Sequence, residues 1–267
     1  MIVYINGKLV PPEDAHFDPW DRGLTLGDGL FETIRVHAGV AQRVFAHLNR
    51  LAHGAGVLGI PLTMSEEDLV HAIAVTIREN GVEEGVARLT LTRGPAPRGI
   101  APPEKPTPTL MIVAEQVLEQ TTEPVHAIIA TKTRRNEFSP LAGLKTLNYL
   151  DNIIARQEAI GARAHDALLL NSIGAVVEAT TANLFVAIEG QILTPPIKDG
   201  ALPGIMRADV IQATGAVEQT LAPHAFAQIS EAFLTNSLGI APLIQVDDQV
   251  IGDGKPGPVC TRLQQMV

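Results

Sequence analysis

Ser139-Pro140-Leu141-Ala142-Gly143-Leu144-Lys145-Thr146-Leu147-Asn148-Tyr149 runs directly into a stretch with helical spacing, Asn148 to Ala164. Within that stretch Tyr149 and Ile153 form one stripe, and Leu150, Ile154 and Gln157 an adjacent one. Lys145 therefore stands just ahead of a helix start, where a lysine is ordinarily a solvated charge. It gains meaning from a second segment farther along, Glu178-Ala179-Thr180-Thr181-Ala182-Asn183-Leu184-Phe185. A lysine that can form a Schiff base and a carboxylate that can pair with a ring nitrogen together suit a carbanion-stabilising enzyme.

The composition sets bounds around this pair. The chain has 267 residues, 46% of them hydrophobic and 18% charged, which suits an enzyme with a sizeable core in one large or two small domains. The formal net charge is -9 and no basic stripe runs along any segment, which argues against nucleic acid as a partner. The single cysteine, Cys260, excludes an intrachain disulfide and a Cys-rich metal site. The start, Met1-Ile2-Val3-Tyr4-Ile5-Asn6-Gly7-Lys8, reads as a strand and turn rather than a signal peptide. No apolar run approaches the roughly 18 residues of a spanning helix, so no membrane is expected and the cytoplasm is the expected compartment.

Along the chain, Asn6-Gly7 is a hairpin signal after the strand Ile2 to Ile5. A strand is expected over Asp28 to His37, and helices over Val44 to Leu58 and Ser65 to Asn80. Ser65 is the expected cap of the latter, with Glu66, Glu67 and Asp68 in its first turn. Strands are expected at Val86 to Arg93 and Thr109 to Ala114, around the Pro/Gly-rich loop Gly94 to Pro108. Glu119 to Pro124 is the candidate linker, dividing residues 1–118 from residues 125–267. The second half mixes strands with helices at Gly204 to Thr214, Ala225 to Ala232 and Pro258 to Met266, without βαβ alternation. The fold class is α+β.

Several motifs carry nothing. Gly54-Ala55-Gly56-Val57-Leu58-Gly59 spells a dinucleotide fingerprint but closes a helical stretch instead of following a strand, so it reads as glycines ending a helix. The eight histidines form no metal-spaced pair, and no Gly-x-Ser-x-Gly occurs. More constructive are Arg50, the helix start at Gly204-Ile205-Met206-Arg207 with its backbone N–H groups, and the strand end Thr235-Asn236-Ser237. Spacing by itself leaves these as a surface arginine, a common helix start and a turn.

Their order and wording say more. The chain resembles the class IV, fold-type IV pyridoxal phosphate enzymes, which include D-amino acid aminotransferases, branched-chain aminotransferases and 4-amino-4-deoxychorismate lyases. The resemblance covers nearly the whole chain. It is carried by Asp21-Arg22-Gly23-Leu24-Thr25-Leu26-Gly27-Asp28-Gly29-Leu30-Phe31-Glu32-Thr33-Ile34-Arg35, His47-Leu48-Asn49-Arg50-Leu51, Thr92-Arg93-Gly94, and the Lys145, Glu178, Gly204 and Thr235 segments. It implies two α+β domains with pyridoxal 5'-phosphate in the cleft between them, the C-terminal one carrying the lysine, and a homodimer acting on a small amino substrate. It implies Lys145 as the Schiff-base and proton-shuttling residue and Glu178 as the partner of the pyridine nitrogen. Arg50, the N–H groups of Ile205 and Met206, and Ser237 would hold the phosphate, with Tyr149 beside the cofactor. Phe31, Arg98, Thr180 and Thr181 would face the substrate.

Within the family two activities stay open. Thr33 after Phe31-Glu32, Arg98-Gly99 and Leu141-Ala142-Gly143-Leu144-Lys145 resemble the lyases, in which a hydroxyl at Thr33 would relay a proton. This favours release of pyruvate and p-aminobenzoate from 4-amino-4-deoxychorismate. Thr92-Arg93-Gly94-Pro95-Ala96-Pro97-Arg98 and the tail from Val246 resemble D-amino acid aminotransferases, but Ile100 and Phe31 replace the histidine and tyrosine expected there. The alternative is therefore an aminotransferase for a D-amino acid, a branched-chain amino acid or an (R)-amine. A non-catalytic binding protein on the same fold is a third reading, opposed by the presence of both Lys145 and Glu178.

Overall fold

The Asn6-Gly7 signal produces the turn it announces. β1 (Val3–Ile5) and β2 (Lys8–Val10) pair with Ile5 opposite Lys8, and both loop residues take positive φ, 47° and 89°. That is the left-handed pair a two-residue hairpin turn requires. Residues 1–117 and 122–265 are described in this computed structural model. The chain divides into two units, Met1–Glu119 with Lys145–Asn148, and Gln120–Leu144 with Tyr149–Val267.

In the first unit, β3 (Gly29–His37), β4 (Val40–Ala41), β5 (Gly85–Thr92) and β6 (Thr109–Gln116) join the hairpin in an antiparallel sheet of order β2-β1-β6-β5-β3-β4. A short helix, α1 (Arg22–Leu26), precedes β3, and two longer helices, α2 (Val44–Leu58) and α3 (Glu66–Glu79), pack on β3 and β6. The side-chain period of two sorts β3: Leu30, Ile34 and Val36 lie buried with Leu89 and Ile112 on the helix side. Each such aliphatic side chain contributes about 1.5–3 kcal/mol by leaving water. α3 starts as its sequence indicates, with the Ser65 hydroxyl accepting from the Asp68 N–H. In α2 the glycine run divides. Gly59 ends the helix with φ 65°, whereas Gly54 lies inside it, where an added Cβ would come within 3.0 Å of Leu30 Cδ1. That glycine lets α2 approach β3 closely.

The second unit comprises β7 (Val125–Ile129), α4 (Leu150–Gly161), β8 (Asp166–Leu170), β9 (Val176–Ala179), β10 (Asn183–Ile188), β11 (Gln191–Thr194), α5 (Ile205–Thr214), β12 (Val217–Glu218), β13 (Glu231–Asn236), β14 (Gly239–Val246), β15 (Gln249–Val250) and α6 (Pro258–Gln264). Its sheet runs β12-β11-β10-β13-β14-β7-β8-β9, and Glu178 of β9 pairs back with Asn183 of β10. The strands from β10 round to β9 therefore close on themselves. Leu168, Leu170, Leu184, Val186 and Leu234 fill the inside. Alternate residues face out: Phe185 stacks on Phe233 at 5.2 Å and packs with Met206, Val210 and Leu263 under α5 and α6. On another side, small residues of α4, Ala155 and Ala159, pack with Ala167 and Leu169. Among the described residues no helix is long and apolar enough to cross a membrane.

Some expectations need correction. The helix expected from Asn148 begins at Leu150, because the Asn148 amide reaches back to donate to Gly27 O at 3.1 Å. Ala225 to Ala232 is not an α-helix: a 3-10 turn occupies Pro223–Gln228, and β13 takes over at Glu231, whose carboxylate accepts from the N–H groups of Val259 and Cys260 at the start of α6. Met266 and residues 119–121 of the expected linker lie outside the described residues. Lys145 also does not group with the C-terminal unit, as chain order suggests. Backbone hydrogen bonds fasten Lys145–Asn148 to the first one.

Gly94 opens the stretch that runs to Pro108. Its φ is 84°, and an added Cβ would sit 1.8 Å from Thr107 O. Gly94→Ala should lower the unfolding free energy by about 2 kcal/mol or more, since both the dihedral and the neighbouring backbone must yield. Urea denaturation checks this; an unchanged midpoint would contradict it.

Candidate active site

The placement of Lys145 follows from an unfilled strand edge. β4 pairs only with Val36 and His37, so the Gly29 end of that edge of β3 is open to another partner. The segment around Thr146 takes it: the Phe31 N–H donates to Lys145 O at 2.9 Å, and the Leu147 N–H donates to Gly29 O at 3.0 Å. Lys145 is half-buried, with Nζ 4.4 Å from the centroid of the Phe31 ring; the Arg88 guanidinium lies 4.0 Å from the same centroid. Both are cation–π contacts. Thr33 follows Phe31 on the same face of β3, half-buried and directly cross-strand from Arg88.

On the opposite face of β3 lies a cluster the sequence reading passed over. The Glu32 carboxylate is 1% exposed and accepts from Arg50 Nε at 2.8 Å, Arg50 Nη2 at 2.6 Å and His47 Nδ1 at 2.7 Å. Arg50 and His47 are three residues apart on α2, so both reach the same side of the helix. Burial pushes the Glu32 pKa up, but the hydrogen bonds and charge of Arg50 and the bond from His47 outweigh it and hold the carboxyl below its ordinary value. For His47 burial wins: its pKa is lowered, despite the raising effect of Glu32. His47 is thus a neutral imidazole donating from Nδ1. The one available signal was a carboxylate at a helix-facing position of β3, between Leu30 and Ile34.

The segments around Asp21 and Arg93 form a clamp. Asp28 Oδ2 accepts from Arg22 Nε and Arg93 Nε, each at 2.7 Å. Burial raises the Asp28 pKa, but Arg93 and Arg22 overcome this and lower it. Arg93 also donates to Leu58 O and Gly59 O, closing the C-terminal end of α2. Arg22 donates to the carbonyls of Gly99, Ile100 and Ala101, shaping the middle of the 94–108 stretch. Arg98 and Ile100 are exposed there.

In the second unit Glu178 is buried, and its carboxylate meets Arg135 Nη2 at 3.2 Å, Asn183 Nδ2 at 3.2 Å and the Leu202 N–H at 2.9 Å. These compensate the burial of a charge, which would otherwise be costly. Asn183 also donates to Leu202 O at 2.9 Å, tying Glu178 to the chain that enters α5. Gly204 caps α5 without a side-chain bond, and an added Cβ would lie 2.0 Å from Asn183 Oδ1. The helix start at Gly204 therefore packs against Asn183. Thr235 is directly cross-strand from Asn183; among the described residues its buried Oγ1 has no hydrogen-bond partner. Ser237 occupies the turn between β13 and β14, which Asn236 shapes by accepting from the Leu238 N–H.

Thr180 and Thr181 separate. The Thr180 hydroxyl donates to Asp166 Oδ1 at 2.6 Å and accepts from Arg156 Nε at 3.1 Å, and its side chain is buried. That hydroxyl is engaged within the fold, whereas Thr181 is exposed in the turn after β9. Tyr149 is half-buried at the start of α4.

These residues fit a phosphorylated pyridine aldehyde. The second unit holds a buried, well-supported carboxylate, a helix start without a side-chain cap and an orphaned hydroxyl, linked through Asn183. The first holds a lysine stacked on an aromatic ring and an arginine fixed by a carboxylate.

Comparison with known proteins agrees. The family model for amino-transferase class IV matches residues 29–246. The chain is 30% identical to a D-alanine aminotransferase of Bacillus licheniformis, over 99% of this chain and 95% of that protein. The Escherichia coli branched-chain amino acid aminotransferase superposes with a TM-score of 0.94 at 27% identity, covering 99% of this chain and 92% of that one. The Pseudomonas aeruginosa 4-amino-4-deoxychorismate lyase gives a TM-score of 0.85 at 30% identity, covering 99% and 97%. The chain is thus similar to proteins of three different named activities.

The Glu32–His47 pair makes stability depend on pH. The folded His47 resists protonation, so stability should fall as pH drops below the ordinary histidine value of about 6.5. A second fall follows below the ordinary carboxylate range, as Glu32 protonates. His47→Asn keeps a donor for Glu32 but does not titrate. Urea midpoints from about pH 7 to about pH 5 should decline less steeply in this variant than in the unaltered protein; parallel declines would show that His47 is not the group responsible.

Proposed function

From the premise that this chain belongs to the class IV aminotransferase family of pyridoxal phosphate-dependent enzymes, we propose that it is a 4-amino-4-deoxychorismate lyase. It would cleave its substrate to pyruvate and p-aminobenzoate. One observation carries the reading: Thr33 follows Phe31 on one face of β3, and Phe31 contacts Lys145 through both its backbone and its ring. A strand advances about 6.6 Å over two residues, so the Thr33 hydroxyl would stand next along that face from the ring that meets Lys145.

Lys145 would hold the cofactor through its side-chain amine and would remove the proton from the substrate carbon that bears the amine. Bound pyridoxal phosphate supplies an electron sink for the pair released as that bond breaks. The C–O bond to the three-carbon side chain then breaks and Thr33 passes a proton to the leaving oxygen. The departing enol becomes pyruvate and the ring becomes aromatic, with no net oxidation. Glu178 would hold the pyridine nitrogen protonated, its buried carboxylate supported by Arg135, Asn183 and the Leu202 N–H. Arg50, the N–H groups of Ile205 and Met206, and Ser237 would hold the phosphate, with Tyr149 beside the cofactor; Phe31, Arg98, Thr180 and Thr181 would address the substrate.

The second reading, an aminotransferase acting on a D-amino acid, a branched-chain amino acid or an (R)-amine, draws support from the aminotransferases among the relatives. It shares Lys145, Glu178 and the phosphate residues, and differs in where Lys145 returns its proton.

Incubation with 4-amino-4-deoxychorismate should yield equal amounts of pyruvate and p-aminobenzoate. Lys145→Ala should abolish the reaction, and Thr33→Val should lower kcat by about 10- to 100-fold with little change in KM. Rapid, complete conversion of the bound cofactor to its amine form by D-alanine or a branched-chain amino acid, without any p-aminobenzoate from aminodeoxychorismate, would overturn the lyase reading in favour of the aminotransferase.

A further inference from the structure

Glu32 is the most buried carboxylate in contact with a proposed cofactor residue, yet neither proposed mechanism uses it. It has two acceptor oxygens and three donors. Oε1 takes Arg50 Nε; Oε2 takes both Arg50 Nη2 and His47 Nδ1. The fork of the guanidinium is therefore engaged through two nitrogens, which fixes its plane as well as its distance. His47 cannot turn the carboxylate away: it is 2% exposed, sits one turn before Arg50 on α2, and is held against β3 where Gly54 lets the helix come close.

The carboxylate is equally constrained from its own strand. Glu32 is paired with Leu89 of β5, and its neighbour Phe31 carries the hydrogen bond to Lys145. One short piece of β3 thus sets the direction of Arg50 on one face and the position of Lys145 on the other.

We propose that Glu32 and His47 are positioning residues for the cofactor's phosphate, holding the Arg50 guanidinium in its binding orientation through the bidentate carboxylate. The inference rests on the reading of Arg50 as a phosphate-binding residue. The burial that keeps His47 neutral suits the role, since a neutral imidazole orients the carboxylate without cancelling its charge toward Arg50. Two opposing effects follow from Glu32. Its negative charge offsets part of Arg50's attraction for an anion, while its two contacts remove the rotational freedom that a long side chain would lose on binding. In a buried, bidentate geometry the ordering effect dominates.

The test compares the affinity of the cofactor-stripped full-length protein for pyridoxal phosphate with its affinity for pyridoxal, which lacks the phosphate. Absorbance reports both, and thermal unfolding is measured alongside. Glu32→Gln keeps the shape but presents an N–H group to at least one of its three donors. It should weaken pyridoxal phosphate binding about tenfold or more and leave pyridoxal binding within about twofold. An equal loss for both ligands would mark a merely structural role, and an unchanged or tighter phosphate-dependent affinity would mean that charge offset wins; either result overturns the proposal. Should Glu32→Gln fail to fold, His47 decides. His47→Asn retains a donor and should keep the ratio of the two affinities, whereas His47→Leu should lower it; an unaltered ratio in His47→Leu overturns the proposal. Arg50→Ala separates the two levels. If it leaves the ratio unchanged, the phosphate reading of Arg50 itself fails. If it lowers the ratio while Glu32→Gln does not, only the positioning role fails.

Discussion

Two backbone hydrogen bonds, from Phe31 to Lys145 and from Leu147 to Gly29, fix the arrangement on which the candidate site depends. They exist because β4 is too short to cover the Gly29 end of β3. An uncovered edge presents backbone donors and acceptors in register, and a passing extended segment satisfies them. The consequence is that Lys145, which follows the first strand of the second unit in sequence, is built into the sheet of the first. Its side chain then meets Phe31, and through the strand's alternation Thr33 falls on the same face.

The same alternation gives β3 two different jobs. Its helix-facing side is apolar except at Glu32, and there the cost of a buried charge is offset by Arg50 and His47 from α2. The other unit repeats this economy around Glu178, where Arg135, Asn183 and the Leu202 N–H surround a second buried carboxylate. In both places a carboxylate does not stand alone as a functional group. It also organises the polar groups next to it.

Much of this was legible in the residues. Asn6-Gly7, the Ser65 cap with its acidic first turn, and the apolar spacing of α2 and α3 are local signals, and local chemistry decided them. The wording of the Lys145 and Glu178 segments pointed to the family and to the cofactor. Less was legible where a side chain acts at a distance. Arg22, Asp28 and Arg93 were part of a matched segment, but their work as a clamp on the 94–108 stretch requires β5 and α2 to be in place. The hydrogen bonds that join the Thr180 hydroxyl to Asp166 and Arg156 likewise appear only once α4 and β8 are in place.

The sequence by itself determined the local elements, because capping, turn geometry and hydrophobic period act over a few residues, and it determined the family, because ordered segments survive as wording. The tertiary structure alone decided which unit carries Lys145, which face of β3 meets the helix, and that Arg50 is held by Glu32 and His47 and Glu178 by Arg135 and Asn183. Those facts depend on strand edges left open and on buried charges finding partners far along the chain, and neither constraint exists until the sheets have formed.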